Sequence, residues 1–223
     1  MSFLDKLLGR KKEEQKETDK MSNVKLAVIY YSSTGTNYKM AKWAEEAAKT
    51  AGAEVKVLKA QELAPEAAIG SNPAWKANHD ATKDIPEATS EDLEWADAII
   101  FSAATRFGGV ASQMKQFLDM QGGLWAKGLL VNKVVSGMSS AQNDHGGQEA
   151  SILSLYTSLM HWGAIIAAPG YSDPVLFTTG GNPYGASATV DGEGNIVNDV
   201  KPAVEVQAKR TVDIAARIKA GNK

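Results

Sequence analysis

Apolar and polar positions along the 223-residue chain alternate between short β-rich runs and longer helical stripes. Val24–Tyr31, VKLAVIYY, is apolar on both faces, as in a strand buried inside a parallel sheet. Residues 36–51 place Met40, Trp43, Ala44, Ala47, Ala48 and Ala51 along one side of a helix, with Gly52 as its stop. The pattern predicts further strands at 53–60, 97–103, 132–138 and 164–171. It predicts helices at Ser90–Ala96 (capped by Ser90), 110–120, 147–163 and 202–221, the last with Pro202 in its first turn and Gly221 at its end. Residues 61–90 carry Pro65, Pro73 and Pro86, with Gly70, Ser71 and Asn72. A connection this long in a compact domain is functional or partly helical. Residues 172–200 are rich in Gly, Asn and Asp.

Strand and helix alternate five times, which predicts an α/β fold: a doubly wound, five-stranded parallel sheet with helices on both faces. Ligands of such sheets sit outside the carboxyl ends of the strands, near the switch in strand order. The loops that matter therefore begin near residues 32, 103 and 138, and all three are rich in Gly, Ser, Thr or Asn.

Composition narrows the function. Hydrophobic residues make up 43% and charged residues 22%, an ordinary soluble domain. The formal net charge of −2 gives no basic excess for nucleic acid. With no cysteine, thiol catalysis, disulfides and cysteine-ligated metal or iron–sulfur sites are excluded. The three histidines, His79, His145 and His161, form neither HxH nor HExxH, so no metal site is expected. No run approaches the roughly 20 apolar residues of a membrane span. Nor is the start a secretion signal, so a cytoplasmic protein is expected. Residues 1–21 read as an extension ahead of a domain at 22–223. Phe3, Leu4, Leu7 and Leu8 share one helical face before Arg10, Lys11 and Lys12, which leaves two readings: a frayed charged tail, or a weak interfacial helix touching a membrane or partner.

The stretch Tyr30–Lys39, YYSSTGTNYK, sits where the first strand meets the first helix. A helix start offers unpaired N–H groups and partial positive charge. Ser32, Ser33, Thr34 and Thr36 add hydroxyls, Asn37 an amide, and Gly35 lets the chain curl inward. The loop has no lysine, and neither GxxxxGK[ST] nor GxGxxG is present. Two readings follow: a seat for one phosphate held by neutral donors, or a hydroxyl-rich turn that only caps the helix.

SSTGTN resembles the flavodoxin phosphate loop. With ATRFGGVASQMKQFLDMQGGLWAKGLL (104–130), GGQEASILSLYTSLMHWGAII (146–166), GY (170–171) and GGNPYGAS (180–187), the chain resembles the WrbA family over roughly residues 22–220. These are flavodoxin-like, FMN-dependent NAD(P)H:quinone oxidoreductases. The resemblance implies that Ser32, Ser33, Thr34, Gly35, Thr36 and Asn37 wrap the FMN phosphate. It implies that Thr105, Arg106, Phe107 and Gly108 line the isoalloxazine edge, although Arg106 also suits a salt bridge at a subunit contact. Ser139, Ser140, Ala141, Gln142, His145 and Gly146 fall on the third loop, which is longer and more polar than the family's; His145 there is either a donor to the ligand or a solvent histidine. Trp125 resembles an aromatic wall supplied across a subunit contact, against quinone or nicotinamide. Trp162 stands where the family often has a second histidine, and Thr34 where an aromatic shapes the nicotinamide site.

The implied function is two-electron reduction of quinones by NADH or NADPH, ping-pong through one open flavin face, with FMN rather than a side chain carrying the chemistry. The implied assembly is a homotetramer, or a dimer. The alternative is a flavodoxin-type electron carrier with a protein redox partner. Such carriers are usually strongly acidic and lack the 104–130 and 172–200 segments.

Overall fold

The sheet is built around β1 (Lys25–Tyr31), which pairs in parallel with β2 (Glu54–Lys59) on one side and β3 (Ala98–Arg106) on the other. The structure, a computed structural model, describes residues 24–192 and 194–221; the expected helix within residues 1–20 lies outside the described residues. A short β4 (Gly109–Val110) folds back antiparallel on β3, and β5 (Val134–Ala141) continues the parallel ladder. With β6 (Ile165–Ile166) at the edge, the order is β2-β1-β3-β5-β6, the doubly wound arrangement that the pattern predicts.

Successive side chains of a strand point to opposite faces, and here each face is covered. Leu26, Val28 and Tyr30 of β1 pack under α1 (Thr36–Thr50) and the closing α8 (Lys201–Gly221). Ala27, Ile29 and Tyr31 pack on the other face, under α4 (Ser90–Trp95), α5 (Ser112–Asp119) and α7 (Gln148–His161). Three short helices complete the chain: α2 (Glu66–Gly70), α3 (Pro73–Ala81) and α6 (Gly122–Ala126).

The structure corrects three local expectations. The fifth strand is not one run over 164–171. Ile165 N–H donates to Lys133 O at 2.9 Å and Ala167 N–H to Val135 O at 2.8 Å, then Pro169, which has no N–H, ends the ladder. It resumes with β7 (Ser187–Thr189), which pairs in parallel with Ser139–Ala141, so residues 168–186 loop out of a split edge strand. That pairing extends β5 to Ala141, placing Ser139, Ser140 and Ala141 on a strand rather than in a loop. The cap of α4 is Thr89, whose hydroxyl and Asp92 form a capping box; the Ser90 hydroxyl turns to Gln121 Oε1 at 2.9 Å. The 61–90 connection is partly helical, as expected, through α2 and α3.

Candidate functional site

At the carboxyl ends of β1, β3 and β5 lies a cavity of about 630 Å³, within the range of about 300–1,000 Å³ usual for ligand sites. Its floor is the loop from β1 into α1. Gly35 holds φ 96° as the N-cap residue, a value glycine adopts at no steric cost. The Ser32 hydroxyl accepts from Gly35 N–H at 3.0 Å and Asn37 N–H at 3.1 Å, which folds the loop. The amides of Ser33, Thr34 and Thr36 have no protein partner among the described residues. Free amides at the start of a 15-residue helix make an anion seat.

Asn37 has another task. It is buried, its Nδ2 donates to Ser140 Oγ at 2.8 Å, and its Oδ1 accepts from Ser102 Oγ at 3.1 Å. One N–H of the side-chain amide thus joins the helix start to β5 and its oxygen joins it to β3, while Asn37 also lines the cavity. Thr34 and Ser33 line the cavity with their hydroxyl-bearing side chains, as Thr36 does beneath them.

The wall above β3 is a two-residue hairpin. Phe107 has φ 52° and Gly108 φ 79°, the left-handed pair of a type I′ turn, and positive φ is costly for an aromatic residue. Phe107 is fully exposed into the cavity mouth. The amides of Phe107 and Gly108 have no protein partner among the described residues. Thr105 is fixed from behind by Ser151, whose Oγ donates to Thr105 Oγ1 at 2.7 Å. Arg106 turns back over the loop: Nη2 reaches Ser33 Oγ at 3.3 Å and Nη1 reaches Thr105 O at 3.2 Å. It pairs with no carboxylate, and it is the only charged side chain among the described lining residues.

Ser140, Ala141, Gln142 and Gly146 close the third side. Gly147 caps α7 with φ 90°, and a Cβ there would stand 2.8 Å from Gly108 Cα, so only glycine lets this loop press on the hairpin. Four predicted residues lie elsewhere. Ser139 is buried on the opposite side of β5 from Ser140, its hydroxyl without a partner among the described residues. The 143–146 turn, closed by Gly146 N–H to Asn143 O at 3.1 Å, carries His145 outward into a neighbouring cavity of about 750 Å³ lined also by Asn182 and Thr189. Trp162 sits at the far end of α7, about 21 Å along a helix whose start borders the cavity, at 1.5 Å per residue. There it packs edge-on against Phe101 at 6.3 Å. Trp125 is also remote within one chain. It is 58% exposed, donates from Nε1 to His161 O at 3.0 Å, and shares a surface hollow of about 300 Å³ with Trp162.

The remaining walls were not foreseen: Asn72, Ala74 and Trp75 on one side, Val190, Gly192 and Gly194 on the other. Asn72-Pro73 was a readable signal. Its side chain accepts from Ala74 and Trp75 amides as the cap of α3, with proline at the first helical position.

Fold and site together define a flavodoxin-like α/β protein with a neutral-donor anion seat at its switch point. The chain belongs to the NADPH-dependent FMN reductase family, whose sequence pattern it matches over residues 24–172. It is 54% identical to a Deinococcus radiodurans protein named NAD(P)H dehydrogenase (quinone), over 87% of this chain and 97% of that one. It is 40% identical to a protein of the same name from Brucella abortus, over 87% and 98%. In fold it is similar to a flavodoxin, WrbA-like protein from Agrobacterium tumefaciens, with TM-score 0.53 at 19% identity, over 90% of this chain and 100% of that one.

Proposed function

We propose that the chain is an FMN-dependent NAD(P)H:quinone oxidoreductase. The carrying observation is the pairing of unpartnered amides at the start of α1 with the unpartnered Phe107 and Gly108 amides across one cavity. FMN fits this donor set: its phosphate suits the 33–36 amides and hydroxyls, and the electron-rich edge of its ring suits the hairpin amides. Held by these residues, FMN would supply hydride chemistry: a hydride equivalent from NAD(P)H, together with one proton from solvent, would convert the quinone to the quinol and leave NAD(P)+.

The protein's own residues bind and orient. The Asn37 bridge fixes the phosphate loop to the sheet. Ser151 and Gly147 hold the hairpin from behind. Arg106 places its positive charge beside the anion seat at Ser33. One cavity mouth serves both substrates, so one leaves before the other enters and the kinetics are ping-pong. The Trp125–Trp162 hollow, with Met120 and Met160 exposed, is an apolar surface suited to a second copy, in a homotetramer or dimer that brings Trp125 toward a neighbour's cavity. No described helix is long and apolar enough to cross a membrane. The cytoplasm is the compartment this reading assigns to the enzyme.

Stopped-flow absorbance of the FMN-reconstituted protein tests this. Mixed anaerobically with NADH or NADPH, the flavin band bleaches, and benzoquinone restores it. A flavin band unchanged by either nicotinamide, with FMN bound, overturns the reading.

A further inference from the structure

Glu62 gathers more donors than any role on the surface requires. Its Oε1 accepts from Gln113 Nε2 at 2.8 Å and from the amides of Leu63 and Ala64 at 3.0 Å each. Its Oε2 accepts from Trp75 Nε1 at 3.1 Å, and Tyr31 Oη reaches both oxygens at 3.2 and 3.3 Å. These donors come from β1, α3 and α5, so one carboxylate joins the strand under the phosphate loop to two flanking walls.

Trp75 is the member that faces the cavity. Its place beside the phosphate loop is fixed a second time. Asn78, one turn on along the same face of α3, donates from Nδ2 to Ser32 O at 2.8 Å, and its Oδ1 lies 3.2 Å from where a Cβ on Gly35 would stand. A flat indole beside an anion seat, with its N–H tied down behind it, is a ring held in one orientation toward whatever occupies the cavity.

We propose that Trp75 is a further binding residue for the ribityl phosphate end of FMN, and that Glu62 is the positioning residue that aims it. The inference rests on FMN as the cofactor. The two oxygens of Glu62 give it a sharp test. In Glu62→Gln the single carbonyl oxygen can keep the Oε1 donors, while the new NH₂ group faces the Trp75 N–H, donor against donor. Glu62→Gln therefore releases the indole and leaves the 62–64 turn. Trp75→Phe keeps a ring and deletes the same hydrogen bond from the other side.

The full-length chain, stripped of flavin, is titrated with FMN by flavin fluorescence, with circular dichroism confirming each variant's fold. Trp75→Ala raises the FMN Kd by about tenfold, the equivalent of an aromatic contact of about 1.4 kcal/mol. Glu62→Gln raises it about threefold or more, and adds nothing further in a Trp75→Phe background. The proposal is overturned by a Trp75→Ala Kd within twofold of wild type, by an unchanged Kd in Glu62→Gln, or by equal Glu62→Gln penalties in both backgrounds. Should Trp75→Ala fail to fold, the Glu62→Gln and Trp75→Phe pair decides alone. Wild-type chain that binds no FMN overturns the cofactor assignment instead.

Discussion

Asn37 Nδ2 and Ser140 Oγ meet at 2.8 Å across 103 positions of sequence, inside the molecule. The bond ties the start of α1 to the end of β5, and Ser102 closes it from β3, the strand between. Removing one partner of a buried network leaves the others unsatisfied, at about 1–3 kcal/mol. Asn37→Ala is therefore expected to lower the stability of flavin-free protein by that amount, measured by urea denaturation. FMN affinity falls with it, because the loop is no longer pinned.

Phe107 carries a backbone conformation that its side chain opposes. Phe107→Gly relieves a strain of order 1 kcal/mol, less the backbone entropy that glycine costs. Denaturation is expected to show apoprotein stability unchanged or raised, while kcat/KM for quinone falls, since the exposed ring at the mouth is gone. A variant less stable than wild type would show that the ring packs on something in solution.

Arg106 leans on Ser33 and pairs with no carboxylate among the described residues. If its charge serves the phosphate, Arg106→Gln weakens FMN by about tenfold, as for a charge-assisted hydrogen bond. Riboflavin, which lacks the phosphate, should bind the variant and the wild type alike. Parallel fluorescence titrations with the two flavins make the comparison.

Asp92 links folding to pH. Burial pushes its carboxyl upward, but hydrogen bonds from Lys56 and Thr89, with the charge of Lys56, outweigh it and hold the group below the usual carboxylate range. A depressed folded-state value means that its stabilisation is complete above the ordinary aspartate value of about 4 and fades as pH falls through the folded one. Thermal melts should therefore show wild type losing its advantage over Asp92→Asn below about pH 4. Above that pH the variant should melt lower, having lost part of the capping box as well.

The sheet and its main helices were legible because the central strands bury two faces and each long helix one stripe, and those demands are written in side-chain polarity. The loop from β1 into α1 was legible as a local fold, because Ser32 accepts from amides three and five residues on. What escaped depends on partners far away in sequence. Nothing near Ile165 announces that Ser187 will finish its strand. Trp75 gains meaning only through Glu62 and Ser32, which lie in other elements. Trp162 lies away from this chain's own cavity because spacing within a motif does not say how far a helix will carry its last residue from the site at its start.

Ser32 shapes the proposed phosphate seat from within the chain: its hydroxyl accepts from the Gly35 and Asn37 amides, so bonds of the loop's own make its curl. A socket formed in advance spends little ordering entropy when its ligand arrives. Flavin uptake should then be a single-step encounter, with a rate proportional to FMN concentration and no slow refolding phase behind it. The same preformed loop is expected to let flavin-stripped protein regain FMN and activity together, read by adding FMN back to the stripped chain.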